Sequence, residues 1–197
     1  MQKIMFNDRY GLTDAVIEGR KIMTRRLADP KRKYEELRLW QPCLELECGL
    51  YGYTEDDGWE YIEPRYARGE IVAVAQSYYN AFSSRCDIPV YGADRTPGWL
   101  NKLFVRADLM PHKIQITRVK CERLQDISDA DCMKEGVRVE FAKNGMPMYY
   151  YFDTKRWREV WFDTPREAFA SLIDRISGKG TWKSNPWVVV YEFKLVK

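Results

Sequence analysis

The segment Gly19-Arg20-Lys21-Ile22-Met23-Thr24-Arg25-Arg26 sets four cations and a hydroxyl directly after a stretch, Leu12 to Glu18, that reads as a short helix. Arginine offers phosphate a planar fork and lysine a compact charge, so the group suits an anionic ligand. Between Arg20 and Arg38 eight Lys or Arg stand against three acids, a run that on its own is also what a solvated strand face looks like. Lys21 and Thr24 lie three residues apart. A regular strand sends such residues to opposite faces, so a shared pocket requires a bend or bulge. Glu135 precedes Gly136 at the end of a second short helix, where a carboxylate faces the negative end of the dipole unless a lysine offsets it.

Two further groups invite a function. Trp182 and Trp187 flank the Asn185-Pro186 turn, so they can form a stacking wall for a base whose edge Asn185 reads, or a plug closing one end of a barrel. Lys102 to Arg123 carries six cations against two acids and extends the basic character, as a rim or as a solvated strand face. Other chemistries lose ground. The one histidine, His112, has no acidic partner nearby, and no GxGxxG or GxxxxGK loop is present. Five cysteines at irregular spacing, with no CxxC pair, predict reduced thiols, no metal site and no cofactor.

The elements that must position these residues follow from pattern. A formal charge of +3 is too small for indiscriminate nucleic-acid coating, so local charge must decide. No run approaches the roughly 20 apolar residues of a membrane span, and the opening Met1 to Asp8 predicts no signal peptide; a cytoplasmic protein is expected. Thr13 or Asp14 is expected to cap the first helix and Gly19 to end it. Tyr53 to Trp59 reads as a hairpin turning at Asp57-Gly58, inside a stretch made acidic by Glu45, Glu47, Glu55, Asp56, Asp57 and Glu60. Ile71 to Ala75 predicts a strand buried on both faces. In Lys113 to Leu124 the apolar alternation slips between Ile116 and Val119, which predicts a bulge. Ser128 and Thr164 cap helices, the second presenting Phe169, Leu172, Ile173 and Ile176 as one stripe. A last strand puts Trp187, Val189, Tyr191, Phe193 and Leu195 on one face.

Four blocks in order resemble the ASCH domain of the PUA-like superfamily, in its phage and prophage form. They are Val16 to Arg26; Gly69 to Val74; Ile116 to Val119 through Glu122 to Ser128 and on to Glu135-Gly136; and Thr164 to Phe169 through Trp182 and Asn185 to Phe193. Gln76-Ser77 stands where phage relatives usually carry an Arg-Glu pair. The resemblance covers somewhat more than half the chain. It implies one α+β domain over residues 1–197, a PUA-like mixed β-barrel with peripheral helices, with insertions at about 28–68 and 138–163. It also implies RNA or nucleotide binding; Arg20, Arg25 and Arg26 of the basic segment and Trp182, Asn185 and Trp187 of the aromatic turn are the expected ligand contacts. One bacterial branch hydrolyses the amide of acetylated cytidine, and its functional Lys, Thr and Glu map onto Lys21, Thr24 and Glu135. A desolvated Lys21 would activate Thr24 or a water, with Glu135 holding the lysine or shuttling a proton. The third alternative is a non-catalytic interaction protein of phage assembly, docking through Tyr149 to Phe152.

Overall fold

The computed structural model describes residues 1–28, 38–42, 50–53, 59–82, 87–89 and 92–196, with only the backbone course given for the strands between 38 and 62. The chain is a mixed α+β structure. Its frame is a five-stranded sheet of β1 (Lys3–Ile4), β6 (Ile71–Val74), β7 (Lys113–Arg123), β11 (Trp187–Val196) and β2 (Met23–Leu27), in that spatial order. The β1–β6 pair is parallel and the other three pairs are antiparallel. β1 and β2 are the two edges, yet the Arg26 Nη2 of β2 donates to the Met5 carbonyl just past β1 at 2.5 Å, so the sheet curls until its edges come close.

The alternation of side chains explains the curl's interior. Ile4, Val72, Val74, Ile114, Ile116, Val119, Val189, Tyr191 and Phe193 point inward from four of these strands and pack with Phe6, Tyr10, Leu12 and Val16. The slip in β7 is a bulge: Glu192 pairs with Arg118 and Phe193 with Ile116, leaving Thr117 as the extra residue. That extra residue keeps Ile114, Ile116 and Val119 on the same face. β6 is buried on both sides from Val72 to Val74, with Ala73 under the segment that carries α2 (Tyr78–Ala81), while Ile71 at its start is exposed. The last strand differs from expectation in burying its second face as well. Val188 and Val190 join Met23 in a separate core beneath α3 (Asp129–Lys134) and α4 (Pro165–Ser177).

The caps follow the sequence in two helices of three. Ser128 Oγ accepts from the Asp131 N–H at 3.1 Å, and Thr164 Oγ1 from the Glu167 N–H at 3.2 Å. In α4 Phe169, Leu172 and Ile173 are buried, whereas Ile176 reaches solvent. In α1 (Leu12–Ile17) the cap is Gly11, with φ +62°, and not Thr13 or Asp14; the Thr13 hydroxyl is engaged by Asp8 and the Phe6 carbonyl. Gly19 ends the helix with φ +75°, as the stop there requires.

Two smaller antiparallel sheets come from the stretches read as insertions. β3 (Arg38–Pro42), β4 (Leu50–Tyr53) and β5 (Trp59–Ile62) form a meander. Tyr53 faces Trp59 across the expected hairpin. The Asp57-Gly58 turn and the acids Glu45, Glu47, Glu55 and Asp56 lie outside the described residues. The second sheet is β8 (Arg138–Phe141), β9 (Pro147–Asp153) and β10 (Arg158–Phe162). It is knitted into the main core: Tyr151 is buried edge-on to Tyr10 at 5.6 Å and bonds Ser171 on α4 at 3.0 Å. Asp153 receives the Arg9 guanidinium on both oxygens at 2.9 Å. Among the described residues no helix is long and apolar enough to cross a membrane.

Candidate functional site

Lys21 reaches its place because it precedes β2. The Lys21 N–H donates to the Ala15 carbonyl at 2.8 Å, the Ile22 N–H to Lys134 at 3.1 Å, and the Ile22 carbonyl accepts from Phe193 at 2.9 Å. These bonds tie the linker to α1, α3 and β11, and they free Lys21 from the two-residue alternation that begins at Met23. Its amine, 2% exposed, donates to the Glu135 carbonyl at 2.7 Å and to Glu135 Oε2 at 2.6 Å. The lysine that offsets the helix-end carboxylate is therefore Lys21. Gly136 makes room: its φ is +107°, and a Cβ there would meet Leu12 Cδ2 at 3.0 Å and Lys21 Cδ at 3.7 Å.

Glu135 holds a second cation. Arg25 Nη1 donates to Glu135 Oε1 at 3.0 Å, while its Nε and Nη2 share Glu122 Oε1 at 2.9 and 2.6 Å and Nη2 lies 3.5 Å from Asp131. Burial works against the Arg25 charge, but the Glu135 and Glu122 carboxylates outweigh it and raise its pKa. Burial dominates at Lys21, where the pKa falls below the ordinary lysine value although Glu135 pulls it up.

Thr24, Arg25 and Arg26 line the same cavity as Lys21 and Glu135, about 640 Å³ in volume. Phe6, Tyr66 and Tyr191 supply aromatic wall, and Lys3, Glu63 and Arg65 complete its charged lining. Tyr66 meets Tyr191 edge-on at 5.3 Å, and the Tyr191 hydroxyl, its pKa pushed up to about 12 by burial, accepts from the Arg65 N–H at 3.0 Å. Among the described residues no hydrogen bond engages the Thr24 hydroxyl. Such a hollow has the size of ordinary small-molecule sites, which run to several hundred Å³.

The other sequence candidates lie elsewhere. Arg20 is exposed and paired with Glu18 at 2.6 Å, outside the lining. Trp182, Asn185 and Trp187 are also outside it. Asn185 sits at φ +45° and spends its side-chain oxygen on the Gln125 N–H at 2.8 Å. Arg166 covers Trp182 at 5.2 Å and Arg123 covers Trp187 at 4.4 Å, so the expected stacking faces already carry guanidinium groups. Ser77 caps α2 through the Asn80 N–H at 3.2 Å, and Gln76 is buried beside it. Phe6, Arg65, Tyr66, Glu122 and Tyr191 were not legible as site residues. Tyr191 had a signal, its place opposite Thr24 across β2 and β11, but only the pairing register reveals it. Among the described residues no cluster of His, Cys, Asp or Glu is arranged to hold a metal.

No protein-family model matches the chain, and neither the curated proteins nor the solved structures contain a match to it.

Proposed function

We propose that this chain binds a nucleotide or nucleoside, free or within RNA, in the cavity beside β2, and that its curled sheet is a PUA-like frame of the ASCH kind. One observation carries the reading. Lys21, Thr24 and Arg26 from the signature segment, and Glu135 from 114 positions beyond Lys21, line one hollow whose remaining wall includes Phe6, Tyr66 and Tyr191. Cations and aromatic rings together are what a phosphorylated base requires. The near approach of the sheet edges at Arg26 and Met5 supports the frame. A phage or prophage origin rests on the sequence resemblance alone. The test is a calorimetric titration with cytidine, cytidine 5′-monophosphate and a short RNA. Saturable binding is expected, weakened by Thr24→Val, which keeps the fold, and abolished by Lys21→Ala. An RNA ligand would add a steep salt dependence. No saturable signal, or one indifferent to Thr24→Val, would overturn the reading.

A second reading, hydrolysis of an acetylated or otherwise modified cytidine, is favoured by the Thr24 hydroxyl, unengaged among the described residues, in the same cavity as Lys21, whose pKa burial lowers. With its extra proton passed to Glu135, the Lys21 amine would take the Thr24 proton as Oγ1 attacks the acetyl carbonyl. It would return that proton to the leaving amine, and water would cleave the threonine ester. Incubation with N4-acetylcytidine should then release cytidine and acetate, and Thr24→Val should stop it.

A further inference from the structure

The cavity's cations are not equivalent. Lys21 and Arg25 are neutralised by Glu135 and Glu122. Lys3 points its amine at the Leu103 and Val105 carbonyls, at 2.7 and 2.6 Å. Arg26 is different. Its Nη2 has the Met5 carbonyl at 2.5 Å, its Nε is buried with no hydrogen-bond partner, and among the described residues no carboxylate pairs with it. Phe6 lies under the guanidinium at 5.6 Å. Burial presses its pKa down against the support of Tyr66, Glu135 and Tyr191, and the nearby charge of Arg65 adds a smaller push in the same direction as burial. Arg65 lines the same cavity, exposed and resting on Tyr66 at 5.4 Å, and among the described residues no carboxylate pairs with it either. A buried guanidinium donor without an acceptor is costly, and a second arginine close by adds repulsion. An anion between the two relieves both at once.

We propose that Arg26 and Arg65 form a phosphate subsite at one side of the cavity, so that the ligand is a phosphate monoester of nucleotide size and not an uncharged nucleoside. This rests on the binding function proposed above and adds the ligand's charge to it. Two sources offer that chemistry, a free nucleoside 5′-monophosphate and the 5′-terminal phosphate of an RNA strand. Glu63, exposed in the lining and unpaired among the described residues, opposes the anion.

Calorimetry on the full chain at fixed salt tests this with cytidine, cytidine 5′-monophosphate, and one RNA tetramer bearing either a 5′-phosphate or a 5′-hydroxyl. The monophosphate should bind at least about tenfold more tightly than cytidine. Arg65→Gln, at an exposed position that does not threaten folding, should reduce that ratio, and so should Arg26→Gln. Glu63→Gln should tighten the monophosphate. A larger gain for the phosphorylated tetramer than for the mononucleotide assigns the subsite to RNA ends, and the reverse assigns it to free nucleotides. Equal binding of cytidine and its monophosphate, or a ratio unmoved by both arginine variants, overturns the subsite and leaves the cavity reading standing. Absence of binding by every probe overturns both.

Discussion

The two faces of β2 carry neighbouring arginines with opposite surroundings. On one face Met23 enters the core beneath α3 and α4, and Arg25 follows it into a closed network. The Arg25 side chain is fully buried and every nitrogen has an acceptor. On the other face, among the described residues, Thr24 has no hydrogen bond at its hydroxyl and Arg26 has one backbone acceptor and a buried Nε without a partner. Both arginines belong to the same basic run, yet the first completes the structure and the second leaves hydrogen-bonding capacity unspent. Capacity left unspent inside a cavity is what the proposed ligand would use.

Substitutions on the closed face should be the most damaging. Glu135→Ala strands the buried Lys21 cation and takes one of the carboxylates from Arg25, and should cost about 3–5 kcal/mol in chemical denaturation. A loss under about 1 kcal/mol would mean that the network is not closed in solution. Gly136→Ala comes next, at about 1–3 kcal/mol, because the positive φ and the Leu12 contact both oppose a side chain. The acid limb is smaller. The carboxylate of Asp131 is desolvated, which raises its pKa, but the Lys134 and Arg25 charges win and hold it below 3.8. Its folded pKa is depressed, so its contribution is complete above the unfolded value and lost as pH falls through the folded one. Asp131→Asn should therefore lower stability at neutral pH, where the carboxylate contributes fully, and flatten the loss below about pH 4 so that variant and parent converge in acid, as thermal melts across a pH series would read. Arg26→Met should change the stability of the unliganded protein least, by no more than about 1 kcal/mol in either direction, since the group removed carries a buried Nε without a partner and, among the described residues, no carboxylate. A large loss at Arg26 would erase the distinction between the faces.

How much of this was legible follows from the range of each signal. Local chemistry read well: the Ser128 and Thr164 caps, the Gly19 stop and the bulge in β7 each depend on a few adjacent residues. The Lys21–Glu135 encounter followed from family resemblance, because no local rule joins residues 114 apart. The alternation argument that set Lys21 against Thr24 failed to apply because β2 begins only at Met23. The Trp182–Trp187 corner misled for the opposite reason. Its residue types suit a base, but Asn185 is spent on Gln125 and the rings lie under arginines from β7 and α4. Residues 138–163 read as an insertion, although Tyr151 and Asp153 bind that sheet to α4 and to Arg9. A stretch outside the resembling blocks carries no local sign of how closely it packs on the rest.

A crystal of the full chain soaked with cytidine 5′-monophosphate bears most directly on all of this. The account predicts density in the hollow between Thr24, Tyr191 and Arg26, with the phosphate between Arg26 and Arg65. A nucleotide seated instead against Trp182 and Trp187, with the hollow beside β2 unfilled, would contradict it.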